Sequence, residues 1–315
     1  MKVLKPDCCR FELKLNSRQK EECIKFGEAC RFVWNKLLEK NIERYKKEGK
    51  RLSEFDMNKL ITTLKKNWRW LKKAPSQALQ QVSNNLNKAY ENFFRGGGFP
   101  RFKKKGKGDS FRFPQGFKLM PKLSRKVGVV KLPKLGKVRF RQSKKIPGEI
   151  RNITIVREGD KWFISFTCMV EMDIVPQEKD FYIVAIDRGI TISLQLSDGT
   201  EIQLSKPLRK FLKKLNILMR ALSRKQKGSS NWLEVKRKIQ KLFRHMKNKR
   251  KDELHKITTY LANNHGIVVL EALKTKNMMK SAKGTVENPG KNVKAKSGLN
   301  RSIADEAWHL LQRLL

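Results

Sequence analysis

Phe181-Tyr-Ile-Val-Ala-Ile-Asp-Arg-Gly189 is a continuous apolar run that ends in a carboxylate, with a turn-forming glycine close behind. A run without alternation predicts a strand buried on both faces inside a sheet, delivering Asp187 to its end. A lone carboxylate in such an interior is either costly or neutralised, so its placement points to a metal or a cationic partner. On either side of Asp198-Gly199, residues 190–196 and 200–204 alternate apolar and polar, which predicts a hairpin. Downstream, after two helical stretches, Gly266-Ile-Val-Val-Leu-Glu271 repeats the design of an apolar strand ending in an acid.

A three-stranded meander, a helical crossover and a further strand, with acids at the ends of the first and last, is the order of an RNase H-like nuclease core. Such cores hold two divalent metals, which makes Asp187 and Glu271 the candidate catalytic and metal-binding pair.

The charge balance narrows the partners. Lys and Arg number 73 against 29 Asp and Glu, a formal net charge of +44 spread over the whole length. A distributed excess of this kind suits a polyanion, and nucleic acid above all, through many phosphate contacts with counterion release. No apolar run is long enough to span a membrane and no signal-peptide pattern opens the chain, so a cytoplasmic, nucleoid-associated protein with no membrane partner is expected. The five cysteines include no C-x-x-C, and the four histidines lack close Cys or His neighbours, so the chain is expected to encode no zinc site. Reduced, buried thiols are the simplest reading of the cysteines.

In chain order, residues 9–15 read as a short strand. From Asn16, an N-cap with Gln19 three residues on, helical spacing holds until Gly49; a second helix covers 53–68, and a third begins after Pro75 and stops at Gly96-Gly97-Gly98. Residues 16–98 are therefore a helical bundle. The following segment, 99–113, interleaves aromatic and basic residues with glycine. It supplies the candidate nucleic-acid contacts Phe99, Arg101, Phe102, Lys103, Lys104, Lys105, Lys107 and Arg112, with Phe102, Phe111 or Phe113 as stacking rings. Period-two alternation over 127–172 predicts a small β-barrel that the N-terminal strand joins, the helices being inserted between them. Two helices then follow, one opened by Ser205 and Pro207 and one over 231–264. The second carries an outward basic stripe, Arg244, Lys247, Lys249, Arg250 and Lys251, read as a phosphate-binding face. Residues 280–297 read as a loop that orders on nucleic acid.

Several strings together resemble the TnpB family, insertion-sequence RNA-guided nucleases related to compact type V CRISPR effectors. They include Cys30-Arg-Phe-Val-Trp-Asn35, Pro75-Ser-Gln-Ala-Leu-Gln80, Gly98-Phe-Pro-Arg-Phe-Lys103, Ala185-Ile-Asp-Arg-Gly189, Val269-Leu-Glu-Ala-Leu-Lys-Thr-Lys-Asn277 and Gly298-Leu-Asn-Arg-Ser302. The resemblance implies an α+β multidomain protein: a wedge-type barrel over 1–15 and 99–178, a recognition bundle over 16–98 inserted in it, and a RuvC-like α/β nuclease domain over 179–315. It further implies a guide RNA, a double-stranded DNA target beside a short protein-read motif, and Mg²⁺ at Asp187 and Glu271. Relatives of this kind continue into a four-cysteine zinc insert and a third catalytic Asp. Neither follows Leu315, and Asp305 lies too early to serve, so a chain cut short or naturally short, with cleavage impaired, is expected. A guided repressor that binds without cutting, and a transposase-associated DNA-binding protein, are the competing readings.

Overall fold

The computed structural model describes residues 2–106, 108–173 and 182–315, and the chain divides into two compact units, Met1–Val175 and Pro176–Leu315. Phe181, Lys107 and the expected barrel boundary at 174–178 lie outside the described residues.

The first unit opens with β1 (Lys2–Lys14), which begins well before the strand expected at residue 9 because antiparallel pairing carries it through Pro6 and its charged neighbours. Helix α1 (Ser17–Glu48) starts where the sequence signals it. Asn16 Oδ1 accepts from Gln19 N at 2.8 Å while the Gln19 side chain accepts from Asn16 N at 3.3 Å, a reciprocal cap. Gly49, at φ 65°, ends the helix in the left-handed region that a residue with a Cβ enters only at a cost. Then come α2 (Glu54–Asn67), a 3₁₀ turn (Arg69–Lys73) and α3 (Ser76–Phe94).

Six further strands complete this unit: β2 (Ser110–Phe113), β3 (Lys118–Ser124), β4 (Val127–Leu132), β5 (Gly136–Arg141), β6 (Glu149–Glu158) and β7 (Lys161–Asp173). All pairings are antiparallel in one seven-stranded sheet of order β2-β6-β7-β1-β5-β4-β3. Among the described residues its end strands, β2 and β3, do not pair with each other. Because β1 lies between β7 and β5, the chain leaves the middle of the sheet, builds three helices and returns at the edge strand β2. Helices and sheet share one apolar core. Phe26 of α1 meets Phe111 of β2 edge-on, ring centroids 5.7 Å apart, and Leu79 and Leu86 of α3 belong to the same buried cluster as Ile155 and Phe166.

The second unit contains β8 (Ile183–Asp187), β9 (Leu194–Leu196), β10 (Glu201–Ile202), α4 (Pro207–Ser223), α5 (Ser230–Asn264), β11 (Ile267–Leu270), α6 (Thr275–Met278), α7 (Val293–Glu306) and α8 (Trp308–Leu314). The sheet order is β10-β9-β8-β11, with β8–β9 and β9–β10 antiparallel and β11 parallel to β8. As the Asp-Gly pair predicts, a turn joins β9 to β10: Thr200 N donates to Asp198 Oδ1 at 2.8 Å and Gly199 takes φ 88°. Val184, Ile186, Leu194 and Leu196 pack with Leu254, Ile257 and Leu261 of α5 and Leu311 of α8.

One expectation is corrected here. β8 is buried on one face: Val184 and Ile186 point into the core, while Ile183 is 62% exposed and Ala185 is open beside it. β11 behaves alike, with Val269 on its open face. An apolar run with no polar alternation carries no period to separate the one-sided from the two-sided case. Phe243 is exposed on α5, and α7 takes the last residues of the predicted 280–297 loop. No helix among the described residues is long and apolar enough to cross a membrane.

Candidate functional site

Parallel pairing of β8 with β11 runs from Ile183 opposite Ile267 to Ile186 opposite Leu270. The next residue on each strand is an acid, so Asp187 and Glu271 leave the same edge of neighbouring strands, which lie about 4.8 Å apart. Both side chains are exposed, and Asp187 also sits opposite Gln195 of β9.

The residue that joins the two strand ends is Arg188, which the sequence reading passed over. Its guanidinium is buried and donates to the backbone carbonyl of Glu271, while its Nε has no partner among the described residues. Burial draws Arg188 below the usual guanidinium range, against the opposing pull of Glu271 and Asp187. Gly189 follows because the turn is tight: a Cβ there would lie 2.5 Å from the Ile192 carbonyl oxygen. The Asp-Arg-Gly triplet thus holds an outward acid, an inward tether and a turn that admits no side chain. Its signal in sequence was a charged residue set directly between the strand end and the glycine.

Asp305 and Glu306 are also acidic neighbours, but they are buried. Asp305 accepts from Leu208 N and Arg209 N, both at 2.9 Å, capping the first turn of α4, and from Arg250 Nη2 at 2.8 Å. Glu306 Oε1 lies 3.2 Å from Lys206 Nζ, yet neither of its oxygens makes a well-directed hydrogen bond. Burial raises its pKa, against the pull of Ser193 and Lys206.

For a hard divalent cation the donors at β8 and β11 are right in kind, two carboxylates, but short in number. No group of three His, Cys, Asp or Glu that could hold a metal occurs among the described residues. Asp305 cannot be borrowed, since its oxygens already serve two amides and a guanidinium. The described residues therefore do not complete a metal centre.

The predicted nucleic-acid residues separate into groups. The 99–105 segment is strapped to α1: Trp34 Nε1 donates to Arg101 O at 3.0 Å, and the Asn35 amide bonds the Lys103 backbone in both directions, at 2.8 and 3.1 Å. Two of the strings quoted from sequence, 30–35 and 98–103, are thus one physical unit. Lys103 Nζ lies 4.0 Å from the centroid of Trp34, and loss of water there draws its pKa below the usual lysine range. Lys105 pairs with Glu28 at 3.5 Å, and Arg112 donates to Asn152 at 3.1 Å. Arg101, Phe102 and Lys104 are exposed, whereas Phe111 and Phe113, offered as stacking rings, are core residues. On α5, Lys247 and Lys251 are exposed, Arg244 and Lys249 half-buried, and Arg250 is bound to Asp305.

Two family profiles match. Residues 165–282 fit the IS605 OrfB profile described as "Probable transposase", and residues 8–50 fit its helix-turn-helix domain, here the end of β1 and the whole of α1. This is the class of insertion-sequence transposase-like proteins. Over 309 residues the chain is 43% identical to "Putative RNA-guided DNA endonuclease InsQ" of Escherichia coli strain K12, covering 97% of this chain and 76% of that protein. The chain belongs to the TnpB-type family of IS605 OrfB proteins. A "Putative RNA-guided DNA endonuclease" of Streptomyces pristinaespiralis is 29% identical over 304 residues, 92% of this chain and 68% of that one. The solved "Cryo-EM structure of CRISPR-Cas12f Ternary Complex" aligns over 94% of this chain and 70% of that chain at 14% identity, with a TM-score of 0.36.

Proposed function

We propose that this chain holds a guide RNA and, through it, matched double-stranded DNA beside a short motif, and that Asp187 and Glu271 are two acids of a RuvC-type nuclease site. The observation that carries the proposal is the parallel register of β8 and β11, which brings one acid from each strand to a common edge. The strand order β10-β9-β8-β11, with only the last pairing parallel, agrees with an RNase H-like core over 179–315. In the same reading the seven-stranded sheet serves as the wedge-type element and α1 to α3 as the recognition bundle.

The division of labour follows from chemistry. Guide pairing supplies most sequence specificity, so the protein needs backbone and shape contacts along the duplex, which a net charge of +44 favours. Asp187 and Glu271 would contribute two of the oxygen ligands of a Mg²⁺ that needs further ones, an ion that supplies charge stabilisation at a phosphate when bound; Arg188 fixes the two strand ends beside each other by its bond to Glu271. A second reading, guided binding without efficient cutting, is favoured by the two-acid donor count among the described residues.

The test is filter binding of the chain with a structured RNA from the flank of its own gene, followed by duplex DNA matched or mismatched to that guide. The account expects RNA affinity that falls steeply with salt, and DNA retention only when guide and target match. A shallow salt slope, or DNA binding indifferent to the guide, would sink it.

A further inference from the structure

We propose that an aromatic cavity in the first unit is a pocket for an unpaired RNA base, a reading that rests on the RNA binding proposed above. The cavity, about 570 Å³, opens beside the C-terminal turns of α1 and α3 and is walled by Tyr45, Arg51, Tyr90, Phe93, Phe94 and Phe99. That volume lies within the roughly 300–1,000 Å³ of small-molecule sites. Its inner wall is a cluster of touching rings. Phe99 stands edge-on to Tyr90 at 5.8 Å and to Phe93 at 5.3 Å between ring centroids, and Phe93 leans on Phe94 at 5.5 Å. The outer rings are open: Phe94 is 68% and Tyr45 62% exposed. Two large aromatic side chains left in water at the mouth of one cavity, rather than scattered, mark a surface built to be covered.

The charges at the mouth say by what. Arg51 holds its guanidinium 6.0 Å from the Phe94 centroid and donates to Asn87 at 2.8 Å; Lys46 lies on the same wall, and the described residues that line it include no carboxylate. Aromatic faces flanked by two cations complement a flat base and its phosphate, whereas an apolar peptide or acyl chain brings no anion to either cation. A duplex keeps its bases stacked and paired. RNA loops and bulges splay them out, and proteins receive such bases on aromatic rings, so an unpaired base of the RNA fits the cavity better than the DNA duplex does.

The probe is a single-stranded RNA of about 15 nucleotides carrying a central 2-aminopurine, titrated into the full chain at about 0.3 M salt to weaken phosphate contacts. Wild-type protein is expected to quench the 2-aminopurine. Phe94→Ala and Tyr45→Ala, both exposed positions, should lose the quench and at least about fivefold in affinity with the salt slope unchanged, and Phe94→Tyr should retain both. Wild-type quench and affinity in the two alanine variants would overturn the pocket, as would an equal loss on a blunt RNA duplex. An equal loss on single-stranded DNA of the same sequence would overturn the assignment to RNA. A wild-type chain that fails to bind the RNA at all would instead refute the RNA-binding reading beneath it.

Discussion

Asp305 and Asp187 are both acids of the second unit, and the fold uses them in opposite ways. Asp305 is buried and saturated by two backbone amides of α4 and the Arg250 guanidinium. Asp187 ends β8 in the open, with Glu271 at the same edge and the buried Arg188 beside it. A carboxylate whose two oxygens are both engaged by donors in the interior holds structure, and one left open beside a second acid is available for chemistry. The same contrast divides the phenylalanines, with Phe111 in the core and Phe102 outside.

The largest effect should come from the saturated acid. Asp305→Ala leaves a partly buried guanidinium and a helix start without their acceptor, and should lower stability by about 3–5 kcal/mol in urea denaturation. A loss below about 1 kcal/mol would break the contrast. Phe111→Ala should cost about as much, roughly 3–5 kcal/mol by the same measurement, through the cavity it opens. Phe102→Ala should leave the urea midpoint almost unmoved while weakening RNA binding at an unchanged salt slope.

Glu306 gives a smaller effect with a defined sign. Its folded pKa is raised above the ordinary 4.5, so above that value the unfolded chain gives up its proton first. Stability is then full below the ordinary pKa and declines as pH rises through the folded one. Glu306→Gln should flatten that decline in urea midpoints measured from roughly pH 4 to pH 7, and a slope unchanged by the substitution would refute the assignment. Smallest of all, Asp187→Ala should change stability by no more than about 0.5 kcal/mol, since the side chain is exposed.

Much of this was legible in the sequence where one local rule suffices. The Asn16–Gln19 cap, the stop at Gly49 and the Asp198-Gly199 turn are set by residues within a few positions of one another. What was not legible depends on partners distant in sequence. The four apolar residues of β8 could not say that one face stays open, because that is decided by where α5 and α8 pack. Basic residues read alike until Arg250 is seen on Asp305 and Lys103 on Trp34. Phe102 and Phe111 stand in one aromatic-basic segment, and only the pairing of β2 with β6 assigns the second to the core. The two candidate acids stand out in the sequence because each ends an apolar run; the tether between the strand ends, Arg188, needed the fold.

The most direct test of the site is a cleavage gel on guide-matched DNA with Mg²⁺, run on the chain alone and on the chain joined to the C-terminal segment of a relative such as InsQ. The account predicts binding with little cutting by the two-acid chain, cutting once further carboxylates are supplied, and loss of that cutting in Asp187→Ala or Glu271→Ala with DNA affinity intact. Efficient cutting by the chain alone would contradict the two-acid argument, and cutting that survives Asp187→Ala would contradict the site itself.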